Sequence, residues 1–333
     1  MSSYSAFESD EVVNCIDSTP GGVVAIGVFR PYSTCAVYIY DHKGCLTQRL
    51  QHNFPISGLK ISPTDPSVLV TVSDQVRIWN ITNGHLISVL SHFEMDPPEL
   101  CPYTSISFSP EGGVFCTTDI SGCCSIWDIA KKAPVEVFSL GPERLYDSSF
   151  IANSVIACVG ETGSLYTIDR DSHHVVCAQG ESVQPRCQPT KLAWIPGLSL
   201  VAICYQTSGV VSIYERNSLS ESPKLLGSTK NMNDSIADLC WIKSNPQYLV
   251  VARDSGNIEV WNKSNLTSPH FTYKAPTAVS AVCFNYGSVL VGDVKGNTVV
   301  SQLPARMEEG GVSSFSISRK NEWETNQTYP ALA

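Results

Sequence analysis

Charge is scarce in this chain. Only 16 % of its 333 residues are charged, against about 25 % in an average globular protein. The 22 Lys and Arg residues are outnumbered by 31 Asp and Glu, which leaves a net charge of −9. The basic residues form no cluster, and a protein that holds phosphate backbones needs one. We therefore expect no direct binding of nucleic acid.

Long apolar runs are missing as well. No segment reaches the roughly 18 consecutive apolar residues that predict a membrane span. Residues 1–8 contain neither a basic stretch nor an apolar run, so they do not predict a signal peptide. We expect a protein of the cytoplasm and nucleus that does not contact a membrane.

Metal and redox motifs are also absent, although the chain has 13 cysteines. No Cys-x-x-Cys pair exists to indicate zinc or redox chemistry. Adjacent Cys123 and Cys124 point to opposite faces of a strand and cannot bind one metal together. Most of the other cysteines are flanked by apolar residues, for example Cys15, Cys116, Cys158, Cys204, Cys240 and Cys283. We expect reduced core cysteines, no metal and no cofactor.

The chain also lacks the common catalytic motifs. None of the seven histidines belongs to a Gly-x-Ser-x-Gly or His-Glu-x-x-His motif, and there is no Gly-rich phosphate loop. The adjacent His173 and His174 fall in a predicted turn, where a solvated pair is expected. The sequence therefore predicts no catalytic residues and no enzymatic activity.

What the chain does contain is a repeat. A large or β-branched residue followed by a polar one ends a strand seven times, the last instance being weak, at Tyr40-Asp41, Trp79-Asn80, Trp127-Asp128, Ile168-Asp169, Tyr214-Glu215, Trp261-Asn262 and Ser301-Gln302. A period of about 40–45 residues with this Trp-Asp-like signature is typical of a four-stranded propeller blade. The pattern predicts an all-β, seven-bladed WD-repeat β-propeller over residues 1–303, with almost no helix. Residues 304–333 are predicted to form a polar, loosely held tail.

Blade two shows the predicted strands: 56–61, 68–72, 76–81 and 86–90. Ring closure requires one terminus to supply the last outer strand, because an unpaired edge is a liability. The segment 4–8 before the first inner strand resembles 271–274 before the seventh, so we expect the N-terminal segment to close the ring. Ser313–Ser318 is the alternative.

The blade-ending tryptophans predict buried hydrogen-bonded sets. Each set joins the Trp to a Thr of the second strand, an Asp of the following turn and a His from the loop before the blade. The candidates are His52, Thr71, Asp74 and Trp79 in blade two; His92, Thr117, Asp119 and Trp127 in blade three; and Asp254 with Trp261 in blade six. We expect these residues to stabilise the fold.

Partner binding is predicted on the loops at one end of the ring. Aromatic residues, Met and Arg dominate protein–protein interfaces, and these loops contain several. The candidates are Arg30, Tyr32, Phe54, Phe93, Met95, Arg144, Tyr146, Arg186 and Arg253.

Several stretches carry a resemblance to a known family. They are residues 4–7 with 24–29, His52-Asn53-Phe54-Pro55, residues 101–108, Cys124-Ser125-Ile126-Trp127-Asp128, Tyr146-Asp147, residues 158–160 and 163–165, Asp169, Leu192-Ala193-Trp194 and residues 237–241. In this order they resemble the plant Transparent Testa Glabra-type WD-repeat regulators and their animal relatives, a cullin-ligase-associated scaffold of DYRK- and HIPK-type kinases. The resemblance covers residues 4 to 301 and is specific in blades two to four.

The resemblance implies a noncatalytic adaptor for DYRK-type kinases or transcription regulators, monomeric within a hetero-complex, in nucleus and cytoplasm. One alternative is a substrate receptor of a cullin-type ubiquitin ligase. Its Asp-x-Arg box is displaced here to Asp169-Arg170-Asp171, which turns the Arg to the opposite face of a strand. Another alternative is a structural propeller subunit of a coat, pore or RNA-processing complex. The tail after Leu303 also departs from the family pattern.

Overall fold

The structure is a computed structural model that describes residues 3–4, 11–30, 35–91, 102–179, 189–194, 200–215, 223–230, 233–242, 245–285 and 288–302. These residues form seven antiparallel four-stranded sheets and contain no helix. Each sheet is one blade of a ring. The all-β, seven-bladed propeller that the repeat predicts is therefore confirmed.

The strands follow one another as simple meanders. Blade one contains β2 (Val12–Ser18), β3 (Val24–Phe29), β4 (Cys35–Tyr40) and β5 (Leu46–His52). Blade two contains β6 (Gly58–Ile61), β7 (Val68–Val72), β8 (Val76–Asn80) and β9 (His85–Leu90). Blade three contains β10 (Tyr103–Phe108), β11 (Val114–Asp119), β12 (Cys123–Asp128) and β13 (Ala133–Ser139). Blade four contains β14 (Leu145–Phe150), β15 (Val155–Gly160), β16 (Ser164–Asp169) and β17 (His174–Gln179).

The remaining blades repeat this order. Blade five contains β18 (Pro189–Trp194), β19 (Leu200–Tyr205), β20 (Val210–Glu215) and β21 (Lys224–Ser228). Blade six contains β22 (Ile236–Trp241), β23 (Tyr248–Arg253), β24 (Asn257–Asn262) and β25 (Phe271–Lys274). Blade seven contains β26 (Val279–Asn285), β27 (Ser288–Asp293) and β28 (Thr298–Gln302), completed by β1 (Ser3–Tyr4).

Ring closure follows the preferred prediction. Ser3 pairs with Val299 and Tyr4 with Thr298, so the N-terminal strand completes the seventh blade. The alternative segment, Ser313–Ser318, and the predicted tail 304–333 lie outside the described residues. Because the first and last strands share one sheet, the two ends of the propeller hold each other.

The apolar core is divided among the contacts between neighbouring blades. Val37 of blade one, for example, packs in one buried cluster with Leu69 and Trp79 of blade two. Seven such clusters replace the single core of an ordinary domain. A propeller can therefore exceed the roughly 250–300 residues at which one core stops growing.

At five of the seven Trp-Asp-like landmarks, the polar residue caps the turn after the third strand; these residues are Asp41, Asn80, Asp128, Asp169 and Asn262. Asn80 Oδ1 accepts the backbone N–H of Thr82 at 3.0 Å, and Asp128 Oδ1 accepts that of Ala130 at 2.8 Å. Asx side chains satisfy turn donors in this way. The repeat in the sequence thus has two parts, an apolar residue for the core and a turn cap.

The tryptophan set of blade two forms only in part. Trp79 Nε1 donates to Thr71 Oγ1 at 3.0 Å, and Thr71 Oγ1 lies 3.4 Å from His52 Nε2. Burial lowers the pKa of His52 to about 4, so the ring is neutral at pH 7. The expected place of Asp74 in this set is wrong, because its carboxylate binds Arg77, with Oδ1 2.7 Å from Nη1.

In blades three and six, the indole N–H of the tryptophan donates to different kinds of acceptor. In blade three, Trp127 Nε1 donates to Thr117 Oγ1 at 2.9 Å, while Asp119 Oδ1 accepts the N–H of Ser121 in the following turn; His92 lies outside the described residues. In blade six, Trp261 Nε1 donates to Glu259 Oε2 at 2.8 Å. The prediction for Asp254 is wrong, since its side chain is exposed in the turn.

The eleven cysteines among the described residues are all free. Cys116, Cys124 and Cys158 are fully buried in the core cluster between blades three and four, whereas Cys45 and Cys177 are exposed. Burial raises the pKa of the Cys204 thiol to about 12. The buried thiols therefore act as small apolar side chains.

Candidate functional site

The candidate site is the end of the ring that carries the connections between blades and the turns between second and third strands, called here the loop face. Among the described residues it includes 53–57, 73–75, 120–122, 140–144, 161–163, 206–209, 254–256, 275–278 and 294–297. In an up-and-down meander these two kinds of connection end on the same side of a sheet. The loop face is therefore the surface where several blades contribute loops side by side.

Two of the predicted binding residues come together on this face, between blades three and four. The guanidinium of Arg144 lies over the ring of Tyr146, 5.5 Å from its centroid. Arg144 is exposed and Tyr146 is half-buried. A cation held over an aromatic face keeps a defined orientation. Within the described part of the chain, the contact that the structure gives to the Arg144 guanidinium is this one with Tyr146.

The loop that carries Arg144 is fixed to both neighbouring blades. On one side, Leu140 N–H donates to Gly122 O at 2.9 Å. Gly122 has φ of +87°, and a Cβ there would lie 1.9 Å from Gly141 O, so only glycine allows this approach. On the other side, Glu161 N–H donates to Arg144 O at 2.8 Å. The backbone of Arg144 is therefore held in place from both blades.

Glu143 supplies the strongest attachment of this loop. Its Oε2 accepts the N–H and the hydroxyl of Thr162 at 2.8 and 2.7 Å, and its Oε1 accepts the hydroxyl of Tyr166. Burial alone would raise the pKa of Glu143, but these hydrogen bonds outweigh it and the pKa is lowered. The carboxylate is therefore ionised at pH 7 and fully used in holding the loop.

Glu143 is a residue that the sequence reasoning missed. Blades three and seven end their second strands with Asp119 and Asp293, whose carboxylates accept the N–H groups of the next turn. Blade four has Gly160 at that position, and a Cβ there would lie 2.4 Å from the Glu143 carboxyl carbon. A glycine where other blades have aspartate is thus the sequence signal that another carboxylate fills the place.

The other predicted binding residues are dispersed. Arg30 and Phe54 are half-buried and lie on blade one and on the connection to blade two. Tyr32, Phe93, Met95 and Arg186 lie outside the described residues. The described part of the chain therefore brings together Arg144 and Tyr146 and leaves Arg30 and Phe54 apart from them in the ring.

The prediction that Arg253 contributes to a binding surface is wrong. Its side chain has 0 % exposure. Nη1 donates to Asp234 O at 2.7 Å and to Gly209 O at 3.2 Å, and Nε lies 2.8 Å from Glu259 Oε1. The two carbonyls come from different loops, because Asp234 lies on the connection between blades five and six and Gly209 lies on the turn between β19 and β20 of blade five. Arg253 therefore joins two blades instead of facing solvent.

The central channel encloses a cavity of about 450 Å³. It is lined by the seven innermost strands, whose free backbone edges need partners. Asp17 Oδ2 accepts the N–H of Ile61 at 2.8 Å, and two further aspartates do the same for the blade that follows them. The other pairs are Asp147 with Leu192 and Asp238 with Val282, each at 2.9 Å.

Two lysines balance these carboxylates. Lys60 Nζ lies 3.2 Å from Asp17 Oδ1. Burial opposes the charge of Lys191, but Asp147 and Asp238 outweigh it and raise its pKa. The sequence signal was available, because charges inside otherwise apolar inner strands are unusual. Since each carboxylate accepts a backbone N–H group of the next inner strand, the charged residues in the channel satisfy the free backbone groups at the edges of these strands.

No protein-family model matches the chain. Within the described ranges, no group of three or more His, Cys, Asp or Glu residues is arranged to hold a metal ion. The same residues include no helix long and apolar enough to cross a membrane. The arguments for function therefore depend on the loop face, the channel and the sequence resemblance.

Proposed function

We propose that the chain is a noncatalytic scaffold that binds partner proteins through its loop face. The observation that supports this most is the Arg144–Tyr146 pair on a loop fixed to two blades. Arg and Tyr are enriched among the residues that dominate binding energy. A side chain that is already oriented loses less entropy on binding. Rigid placement of an exposed Arg is what a binding surface requires, whereas an ordinary surface Arg has no such support.

The resemblance to the Transparent Testa Glabra-type regulators suggests the class of partner. We propose that the partners are DYRK-type kinases or transcription regulators, in the nucleus and cytoplasm. Propellers host many unrelated functions, so the fold alone does not identify the partner. The net charge of −9 and the absence of a basic cluster support a protein partner over a nucleic acid.

The displaced Asp-x-Arg box bears on the cullin alternative. Arg170 Nη2 lies 2.7 Å from Glu136 Oε1 of the neighbouring blade, and 18 % of the Arg170 side chain is exposed. The Arg170 guanidinium is therefore paired with a neighbouring blade of the propeller itself. The scaffold reading is therefore preferred to recruitment by a cullin ligase.

Affinity purification of the tagged full chain from its own cells, followed by mass spectrometry, tests the proposal. We expect a kinase or a transcription regulator in stoichiometric amount with the wild type, and at least about tenfold less with Arg144→Ala/Tyr146→Ala, as for the loss of a binding hot spot. Arg49→Ala is the matched control, because Arg49 lies over Tyr38 at 5.7 Å on an outer strand, away from the loop face.

Each alternative gives a different result in the same experiment. Cullin adaptor subunits would support the ubiquitin-ligase reading, and coat or pore components without a kinase would support a structural subunit. Equal recovery with the loop-face variant and with Arg49→Ala would refute the loop face as the binding surface.

A further inference from the structure

The turn between the second and third strands of blade four is capped from outside the blade. In blade three, Asp119 ends the second strand, and its Oδ1 accepts the N–H of Ser121 at 2.8 Å. The corresponding donor in blade four is the N–H of Thr162, which lies 2.8 Å from Glu143 Oε2. Glu143 precedes Thr162 by 19 residues and lies on the connection from blade three. A side chain of the connection therefore replaces a strand-ending aspartate.

Blade six is capped in the same way, but its connection differs in what it presents. Asp234 lies on the connection from blade five, and its Oδ1 and Oδ2 accept the N–H and the hydroxyl of Ser255 at 3.3 and 2.6 Å. Asp234 is followed by half-buried Ser235, whereas Glu143 is followed by exposed Arg144. The two connections are thus anchored alike, and of the two it is the one before blade four that places an arginine next to its anchor.

We propose that Glu143 is a positioning residue for partner binding, which fixes Arg144 on the loop face without contacting the partner. This role presupposes the proposed function, the binding of a partner at that face. The Glu143 carboxylate accepts hydrogen bonds from Thr162 and Tyr166 of blade four. The next residue, Arg144, is bonded to the same blade through its C=O. Without the carboxylate, Arg144 has more conformations to lose when a partner binds.

The size of the expected effect follows from chain entropy. Fixing one backbone residue on binding lowers affinity by roughly a factor of ten, so we expect about a tenfold loss when the carboxylate tie is removed. Truncation of Glu143 alone would also leave the N–H of Thr162 without this acceptor, which destabilises the turn. A variant that tests positioning must therefore keep the turn capped.

Gly160 makes such a variant possible. Gly160 and Asp119 are equivalent, since each pairs with the first residue of the inner strand of its blade. The φ angle of Gly160 is not positive, so its backbone accepts an aspartate. The obstacle is Glu143, because a Cβ at position 160 would lie 2.4 Å from its carboxyl carbon. Glu143→Ala/Gly160→Asp removes this obstacle and returns the cap to the second strand, as in blade three.

Limited trypsin digestion of the full chain tests the positioning without a partner, because trypsin cleaves after arginine. Relative to cleavage after Arg49, which reports opening of the outer strand of blade one, we expect cleavage after Arg144 to be at least about tenfold faster in Glu143→Ala/Gly160→Asp than in the wild type. Asp234→Ala is the matched control, since it removes the same kind of cap from blade six. Equal relative rates in the wild type and the double variant, or equal acceleration by Asp234→Ala, would overturn the positioning role.

Recovery of the protein that co-purifies with the wild type tests the consequence for binding. We expect about tenfold less of it with Glu143→Ala/Gly160→Asp and wild-type recovery with Asp234→Ala. Arg144→Ala is measured in parallel. If Arg144→Ala lowers recovery and the double variant does not, the positioning role fails while the loop face remains the binding surface. If Arg144→Ala leaves recovery unchanged, the proposed function fails, and the role of Glu143 in binding fails with it.

Discussion

Blades two and six each have a structural tryptophan near the end of the third strand, but the residue two positions before it has opposite charge in the two blades. In blade two, Arg77 of the third strand pairs with Asp74 of the preceding turn, with Nη1 2.7 Å from Oδ1. In blade six, the third strand carries Glu259, and it pairs with Arg253 at the end of the second strand. Arg77 and Glu259 occupy equivalent registers, opposite Thr71 and Val251.

The second-strand residue explains the difference. Thr71 gives the indole N–H of Trp79 an acceptor, and Thr117 does the same for Trp127 in blade three. Blade six has Val251 at this position, so the indole donates to Glu259 instead. A buried carboxylate then requires a partner, which is Arg253. One apolar residue in the second strand is thus accompanied by a buried ion pair.

Breaking the ion pair of blade six should have the largest effect. Arg253→Met leaves the Glu259 charge buried without its cation, and we expect a loss of about 3–5 kcal/mol in the free energy of unfolding. Arg77→Met in blade two should cost less, about 1–3 kcal/mol, because Ser73 Oγ still donates to Asp74 Oδ1. Urea unfolding followed by tryptophan fluorescence measures both.

The control for this prediction is a variant in which blade six carries uncharged residues around its tryptophan, as blade three does. The triple variant Val251→Thr/Arg253→Met/Glu259→Ser reproduces the Thr117 and Ser125 environment of Trp127. We expect its stability to lie within about 2 kcal/mol of the wild type, because replacing a buried ion pair as a whole is often nearly neutral. If Arg253→Met alone were as stable as the wild type, the ion pair would have no stabilising role.

Removing the neutral acceptor of blade three should have the next largest effect. Thr117→Val removes the hydroxyl that accepts the N–H of Trp127, and the loss of this buried hydrogen bond costs about 1–3 kcal/mol. The variant keeps the shape of the side chain and copies the residue that blade six uses. The same urea unfolding experiment reports it. A change below about 0.5 kcal/mol, the level of an ordinary surface substitution, would mean that the indole finds another acceptor.

Acid should weaken blade two through His52, which has a lowered pKa of about 4 against 6.5 in an unfolded chain. Between these values the unfolded chain binds a proton that the folded chain does not. Stability is therefore full above pH 6.5 and is lost as the pH falls towards 4, by up to about 1.4 kcal/mol per pH unit. Urea midpoints of the wild type and His52→Gln at several pH values test this. Parallel pH profiles would contradict it.

The repeat made most of the fold predictable. The turn caps, the apolar inner strands and the closing segment each leave a mark in the sequence, and the predicted strand 68–72 of blade two has the bounds that the structure shows. The inner strand of this blade begins at Gly58 instead of the predicted Ile56. Ser57 and Gly58 both lie opposite Val72, and such an irregularity is not visible in hydrophobic periodicity.

The candidate site was less predictable, because side-chain partners lie far apart in sequence. Arg253 ends the second strand of blade six and Arg144 ends the connection between blades three and four, yet the first is surrounded by backbone carbonyls and the second is exposed. Composition favours both for an interface. The path of the neighbouring loops decides which of the two is exposed, and loop conformation does not follow from residue type.

The central claim, that the loop face binds the partner, is tested most directly by comparing two arginine variants. The measurement is the amount of partner protein that co-purifies with Arg144→Ala relative to Arg49→Ala, each normalised to the recovered chain. We predict at least about tenfold less partner with Arg144→Ala, as expected for a hot-spot side chain, and wild-type recovery with Arg49→Ala. Equal recovery with the two variants would contradict the account.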